Sequence, residues 1–392
     1  MRVLLCFLLL LAPVWAQTGV VEEAAKTVRR EFFDPNLRGL DWDALTREAV
    51  AEERPAQGWT EVGAVINRLL AKLQTSHTHF YTPEEPGYFE ILGVFAPLAR
   101  GELENWFKRT FPNGKPVYEG VGMAVGPDGF VTGVWDGFPA AEAGVKVGDK
   151  ILEADGKPFH PIQSFKGRER VTLKLEYQPG QTRTVNVTVK PLDTTVCYRT
   201  AMENSARRIG NLAYVHVWSY AGDEMHERLV ELVTGGELAQ ADGLVLDLRD
   251  GWGGASPTYL NLFNRRVPHM EMTDRRGRVN SWDEQWKKPV VMLVNGGSRS
   301  GKEILAFAFQ RYQIGPVVGS PTAGAVVGGR PYPMAQGGVL YLAVADVKVD
   351  GVRLEGNPVQ PDVLVERPIP YCQGADPQLE KALEVLRQKV GK

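Results

Sequence analysis

The stretch Val290-Val291-Met292-Leu293-Val294-Asn295-Gly296-Gly297-Ser298-Arg299-Ser300-Gly301 decides how the chain is read. Five apolar residues predict a buried strand. A glycine-rich turn follows, and Lys302 to Gln313 then has the composition of a helix. A second unit of the same design lies upstream, where apolar Gly243 to Leu248 runs into Arg249-Asp250-Gly251-Trp252-Gly253-Gly254. Further strands are expected at Leu212 to Trp218 and Val317 to Gly319, and helices at Glu224 to Val233, Ser256 to Phe263 and Pro377 to Val390. Strands alternating with helices predict an α/β sheet with crossover connections. Ligand sites in such sheets gather at the strand ends, so the two glycine turns are the first place to look for chemistry.

Two other regions flank this core. Residues 117–192 hold short β-rich runs, at Val121 to Val125, Phe130 to Trp135, Lys150 to Ala154, Val171 to Tyr177 and Thr184 to Val189, punctuated by Asp128-Gly129 and Asp155-Gly156. Residues 20–73 read as helices. Asp41 opens one of them, and Val62, Val65, Ile66, Leu69, Leu70 and Leu73 recur at helical spacing in another. The chain then changes to the polar, extended Thr75-Ser76-His77-Thr78-His79-Phe80-Tyr81, and residues 84–116 read as a less regular cap or connector.

Composition bounds the function. The chain has 392 residues, 43% of them hydrophobic and 23% charged, which suits two or three folded domains. Its 45 basic and 47 acidic residues give a net charge of −2, so no global attraction to nucleic acid or anionic lipid is expected. Arg2, the apolar run Val3 to Leu11 and the small residue Ala16 predict a secretory leader over 1–16, hence export to a periplasmic or extracellular space. No later run is long enough for a membrane span. Cys197 and Cys372 then remain, either as a disulfide or as two free thiols. No Cys/His spacing indicates a metal, and no organic cofactor is expected.

Ser300 sits where a strand-to-helix turn presents a hydroxyl at a helix N-terminus, which favours a developing oxyanion. Ser300 and Glu303 also match a capping box that needs no catalysis. The Gly253-Gly254 turn offers a second set of backbone N–H groups. Lys302 is a poor base for Ser300, because i and i+2 do not face one another on a helix. His77 and His79 both qualify as neutral bases near pH 7, and in extended chain both point to the same side.

Taken together, the mature chain resembles the C-terminal processing (tail-specific) serine peptidases, including their tricorn-like and retinoid-binding-protein-like branch. Tyr118-Glu119-Gly120-Val121-Gly122-Met123 resembles the carboxylate-binding loop of a PDZ domain, and Gly137 to Val145 with Val147-Gly148-Asp149-Lys150-Ile151 resembles the stretch that follows it. Asp247 to Gly254, Gly296 to Ile304 and Glu355 to Asp362 resemble the core motifs, with Ser300 at the nucleophile position. Most tail-specific members use a Ser/Lys dyad, but Pro321-Thr322-Ala323-Gly324-Ala325 places Ala325 where that lysine would stand. The tricorn branch uses a histidine preceded by serine, and Ser76-His77 fits.

The resemblance therefore implies a crotonase/ClpP-like α/β peptidase core over 193–392, completed by the Ser76-His77 segment. It implies an inserted PDZ domain over 117–192 and a helical N-terminal region over 17–116. It further implies Ser300 as nucleophile, His77 as base, Ser76 and Glu355 as orienting groups, and Gly301 with Gly253 or Gly254 as oxyanion donors. Gly120, Val121, Gly122 and Met123 would take a peptide C-terminus, and the substrates would be unfolded proteins or exposed protein tails. A non-catalytic peptide-binding scaffold and an apolar ligand carrier are the competing readings.

Overall fold

A computed structural model describes residues 19–391. The leader expected over 1–16 lies outside the described residues.

Three helices open the described chain: α1 (Val20–Glu31), α2 (Trp42–Glu53) and α3 (Trp59–Ala71). Asp41 caps α2, its side chain accepting from the Ala44 N–H, as its acidic first turn predicts. The apolar stripe of α3 is buried, and it packs with Val21, Ala24 and Val28 of α1 into one cluster. The strand β1 (His79–Tyr81) is short. Residues 84–116, expected to be irregular, instead form α4 (Pro86–Phe95) and α5 (Glu102–Thr110). Pro86 sits in the first turn of α4, where it needs no N–H partner, so its proline starts a helix rather than breaking one.

The β-rich segment is framed by two strands. β2 (Val117–Gly120) pairs antiparallel with β9 (Lys190–Asp193), bringing its two ends together. Between them lie β3 (Met123–Val125), β4 (Val131–Val134), the single turn α6 (Pro139–Glu142), β5 (Lys150–Ala154), the two-residue β6 (Lys157–Pro158), β7 (Arg170–Gln178) and β8 (Gln181–Thr188). Val121, Val131, Ile151, Leu173, Leu175 and Val187 form its own core, separate from the rest of the chain.

The remainder builds the main sheet. Its elements are α7 (Cys197–Ser205), β10 (Arg207–Ile209), β11 (Leu212–His216), α8 (Asp223–Thr234), β12 (Gly243–Asp247), an exposed hairpin β13 (Met270–Thr273) and β14 (Val279–Trp282), β15 (Val290–Val294), α9 (Gly301–Arg311) and β16 (Val317–Gly319). There follow the hairpin β17 (Val327–Pro333) and β18 (Val339–Asp346), which joins β1 in a separate three-stranded sheet, the small pair β19 (Lys348–Val349) and β20 (Val352–Arg353), β21 (Val363–Leu364) and α10 (Pro377–Val390). The six strands run in the order β10-β11-β12-β15-β16-β21, all neighbours parallel except β10 with β11.

β11, β12 and β15 are buried at all five positions, as strands covered on both faces must be. Alternate residues choose the face. Tyr214, Val245, Val291 and Leu293 pack on Ala382, Leu383 and Leu386 of α10. Val215, Leu244, Leu246, Met292 and Val294 face Leu305 and Phe309 of α9 and Leu229 of α8.

Ser256 to Phe263, expected as a helix, is a 3₁₀ turn over Pro257–Phe263. Cys197 and Cys372 are both free thiols, Cys197 buried and Cys372 half-buried, so no disulfide links them. Among the described residues no helix is long and apolar enough to cross a membrane.

Candidate active site

β12 and β15 are adjacent and parallel, so their glycine turns emerge side by side. Three side chains lace the turns together. The buried Ser298 hydroxyl accepts from the Asn295 N–H at 3.0 Å and donates to the Leu248 carbonyl at 2.8 Å. The Asn295 amide oxygen accepts from the Asp250 N–H at 3.1 Å, and its amino group donates to the Asp250 carboxylate at 2.9 Å. Ser300 then caps α9 with φ 57° and ψ −125°. A non-glycine residue there costs of order 1–3 kcal/mol, and surrounding bonds must hold it.

Those bonds come from Glu303 and the segment that replaces the lysine motif. The Ser300 N–H donates to the Ala325 carbonyl at 2.9 Å and to the Glu303 carboxylate at 3.2 Å. Glu303 also accepts from the Thr322 hydroxyl at 2.6 Å and from the N–H groups of Gly324 and Ala325 at 2.7 and 2.8 Å. Burial pushes its carboxyl up from the ordinary range, while these donors pull it back. The Ser-x-x-Glu pattern is thus half of a larger brace that fixes the 322–325 loop against Ser300. Gly253 lies on the other side. A Cβ there would come 2.6 Å from the Ser300 Cβ and 2.7 Å from the Arg299 carbonyl, a separation only glycine permits. Gly301 is as tightly placed, since its Cβ would meet the Ala255 nitrogen at 2.3 Å.

The Ser76-His77 segment reaches the same place from the other sheet. β1 pairs antiparallel with β18, His79 opposite Tyr341, and the chain bends just before it at His77, which has φ 53°. The bend undoes the extended-chain expectation that His77 and His79 are equivalent. His79 is half-exposed, beside Tyr81 and 3.7 Å from the Glu85 carboxylate. His77 packs against the Tyr341 ring at 5.3 Å, with its Nδ1 3.0 Å from the Ser76 hydroxyl oxygen. That hydroxyl donates to Glu355 Oε2 at 2.7 Å, and the Ser76 N–H donates to Oε1 at 2.8 Å. Glu355 Oε2 also accepts from the Val326 N–H at 2.8 Å.

A hydroxyl has one proton. With that proton given to Glu355, Ser76 Oγ accepts from His77 Nδ1–H, and Nε2 is left with its lone pair. Burial, aided by the Arg299 charge and opposed by Glu355, lowers the His77 pKa to about 4, so the ring is neutral at pH 7.

Ser76, His77, Gly253, Gly254, Ser300 and Ala325 all line one cavity of about 470 Å³. A second groove of about 720 Å³ is lined by Gly120, Val121, Gly122 and Met123, with Phe159 and Phe165 beside them. Its far wall comes from α4, where Glu90 accepts from the Trp252 indole N–H at 3.0 Å. The two spaces therefore share a wall.

Two other polar groups brace the turns: Lys302, already set aside as a base, and Arg249, to which the sequence reading gave no role. Lys302 points away from Ser300 into the core, where it is fully buried and donates to the carbonyls of Asp250 at 2.6 Å and Trp218 at 3.1 Å. Burial lowers its pKa to about 7. Arg249 is held by Asp247 at 2.6 Å and by both Asp376 oxygens at 2.8 Å, which ties β12 to the start of α10. The hint was two charges, Asp247 and Arg249, ending an otherwise apolar strand. Among the described residues no group of three or more His, Cys, Asp or Glu side chains is gathered as a metal site requires.

Comparison with known proteins agrees with this architecture. Residues 211–365 match peptidase family S41. The tricorn protease of Thermoplasma volcanium is 26% identical over 384 residues, covering 93% of this chain and 36% of that protein. The chloroplastic C-terminal processing peptidase of Tetradesmus obliquus is 25% identical over 381 residues, covering 88% of this chain and 76% of that one. The chain thus spans about a third of the tricorn relative and about three quarters of the algal one. Among solved structures, the photosystem II D1 C-terminal processing protease superposes with a TM-score of 0.50 at 23% identity, over 96% of this chain and 97% of that one. The tricorn protease superposes with a TM-score of 0.57 at 19% identity, over 96% of this chain and 37% of that one. Residues 211–365 thus carry a likeness to peptidase family S41, and over most of its length the chain is similar to proteins named tricorn protease and C-terminal processing peptidase.

Proposed function

We propose that the protein is an exported serine endopeptidase that captures protein C-termini and cleaves peptide bonds with Ser300 and His77. The observation that carries this reading is the chain Glu355–Ser76–His77 opening onto the cavity that Ser300 lines. The Nδ1–H tautomer leaves Nε2 as a base.

Ser300 Oγ attacks the peptide carbonyl carbon as Nε2 takes its proton. Backbone N–H groups of Gly301 and of Gly253 or Gly254 stabilise the oxyanion. The C–N bond then breaks, and His77 returns the proton to the leaving amine. Water hydrolyses the acyl-enzyme by the same route. Ser76 and Glu355 act as positioning residues. Ala325 contributes backbone bonds instead of the lysine of a Ser/Lys dyad, which supports the histidine as base.

The β-rich segment is read as a PDZ domain over 117–192, because its Gly120–Met123 loop lines an apolar groove suited to an added strand. The 193–392 core, with its nucleophile on a turn after a parallel strand, is read as crotonase/ClpP-like, and residues 17–116 as its helical N-terminal region. Export rests on the apolar run Val3 to Leu11 before Ala16. The test is turnover of an unfolded protein with a free apolar C-terminus. Ser300→Ala is expected to lower the rate by roughly 10³-fold or more. A folded Ser300→Ala variant as active as wild type removes the assignment. Tail binding without any turnover points to a scaffold.

A further inference from the structure

Among the side chains lining the Ser300 cavity, Arg299 alone carries a permanent charge, and no Asp or Glu shares that wall. Among the described residues the Arg299 guanidinium makes no ion pair. Its contact is with an aromatic face, its Cζ lying 5.5 Å over the Trp252 ring. Trp252 is itself fixed, because its indole N–H donates to Glu90 at 3.0 Å and to the Tyr198 hydroxyl at 3.2 Å. The charge is felt across the cavity, where it contributes to the pKa shifts of His77, Tyr81 and Tyr341. The Glu90 carboxylate that feels this charge is bonded to the Trp252 N–H instead, so a planar cation held over an indole and next to Ser300 keeps its donors open to an anion in the cavity.

We infer that Arg299 is a specificity-determining residue that selects substrates with a carboxylate beside the scissile bond. The inference rests on the Ser300 peptidase reading. Guanidinium and carboxylate match as two parallel hydrogen bonds, and stacking on Trp252 pre-organises the donor. Arg299 precedes Ser300 directly, so the carboxylate lies within a residue or two of the reacting carbonyl. Lysine or arginine at that position meets a like charge. The carboxylate belongs either to an Asp or Glu side chain or to the chain terminus, and the chemistry is the same.

The test uses the full chain and quenched-fluorescence peptides that differ only in Glu, Gln or Lys beside the cleaved bond. A second pair has a free or an amidated C-terminus two residues beyond it. Wild type is expected to favour at least one carboxylate form over its neutral counterpart by roughly 10-fold or more in kcat/KM. A preference for Glu assigns a side chain, and a preference for the free terminus assigns the chain end. Arg299→Gln is expected to erase the preference, and Arg299→Glu to reverse it toward Lys. A purely structural role would not invert selectivity. The bonds that Arg299 gives the turn are made by its backbone, the carbonyl accepting from the Lys302 N–H at 3.2 Å, so the side chain can be changed.

A Ser300-dependent enzyme that cleaves all these peptides alike overturns the inference and leaves the peptidase reading intact. An enzyme that cleaves none of them overturns the peptidase reading. Calorimetric binding to Ser300→Ala then decides the inference separately. It stands if a carboxylate peptide binds more tightly than its neutral form and Arg299→Gln removes the difference, and it falls otherwise.

Discussion

The Ser76 hydroxyl donates to the Glu355 carboxylate at 2.7 Å across 279 residues of chain. Glu355 thereby decides which proton Ser76 can offer, and Ser76 decides which nitrogen of His77 is bare. Ser76→Ala removes the acceptor for Nδ1–H. It is expected to lower kcat by roughly 10²–10⁴-fold with little change in KM. Glu355→Gln puts an amide beside the same hydroxyl and is expected to lower kcat less. Steady-state kinetics on one tail peptide checks both. A KM effect without a kcat effect places the pair in binding instead.

The pH profile follows from His77. Its pKa is lowered to about 4, mainly by burial, against an ordinary value of 6.5. As the proposed base, His77 stays neutral until pH falls through the folded-state value. The acid limb of kcat/KM is expected near pH 4, well below that of a free imidazole. The same depression contributes stability that is present above pH 6.5 and lost as pH falls toward 4. Rates on a folded enzyme between pH 3.5 and 8 decide the matter, and a limb near 6.5 would remove His77 from this role.

Much of this was legible in the chain because it is local. Val290–Val294, Val317–Gly319 and Pro377–Val390 form at the expected bounds, each bounded by its own turn or cap. α4 was hidden because Pro86 and Gly87 mark a loop as readily as a helix start. The hairpin β17–β18 was hidden by Gly328-Gly329, Pro331 and Pro333, which interrupt its alternation. Ser300 and His77 were found as motif positions, but their relation to Glu355 depends on tertiary folding. Arg299 lay inside the quoted motif all along. Only the fold shows Trp252 beneath it.

Gly253 tests how closely the two glycine turns must approach. The methyl of Gly253→Ala would sit 2.6 Å from the Ser300 Cβ, and neither backbone segment can yield cheaply. A loss of about 1–3 kcal/mol of stability is expected from the overlap. The displaced turn is expected to cost roughly 10²–10³-fold in kcat. Denaturation curves paired with kinetics separate the two. A stable variant with full activity would show that Gly253 neither supplies nor shapes the oxyanion site.

Lys302 gives the last prediction. A neutral amine has two protons, and the site offers two acceptors, the carbonyls of Asp250 and Trp218. The ammonium form would bury a third N–H and a charge, so burial lowers the pKa from 10.5 to about 7. Between those values the unfolded chain binds more protons than the folded one, so this group adds stability as pH rises from 7 toward 10.5. At lower pH both states are protonated and the full penalty remains. Lys302→Met removes this dependence and leaves the half-buried Asp250 carbonyl without its donor, while the Trp218 carbonyl keeps the Trp252 N–H at 2.8 Å, a loss of about 1–3 kcal/mol. Urea denaturation at pH 7 and pH 9.5 is expected to show wild type gaining on the variant at the higher pH. The 250–254 turn, left to its other bonds, among them those with Asn295 and Trp218, is expected to lower kcat in parallel. A stability difference that does not change with pH would mean that Lys302 is charged in the fold and holds the turn as an ammonium.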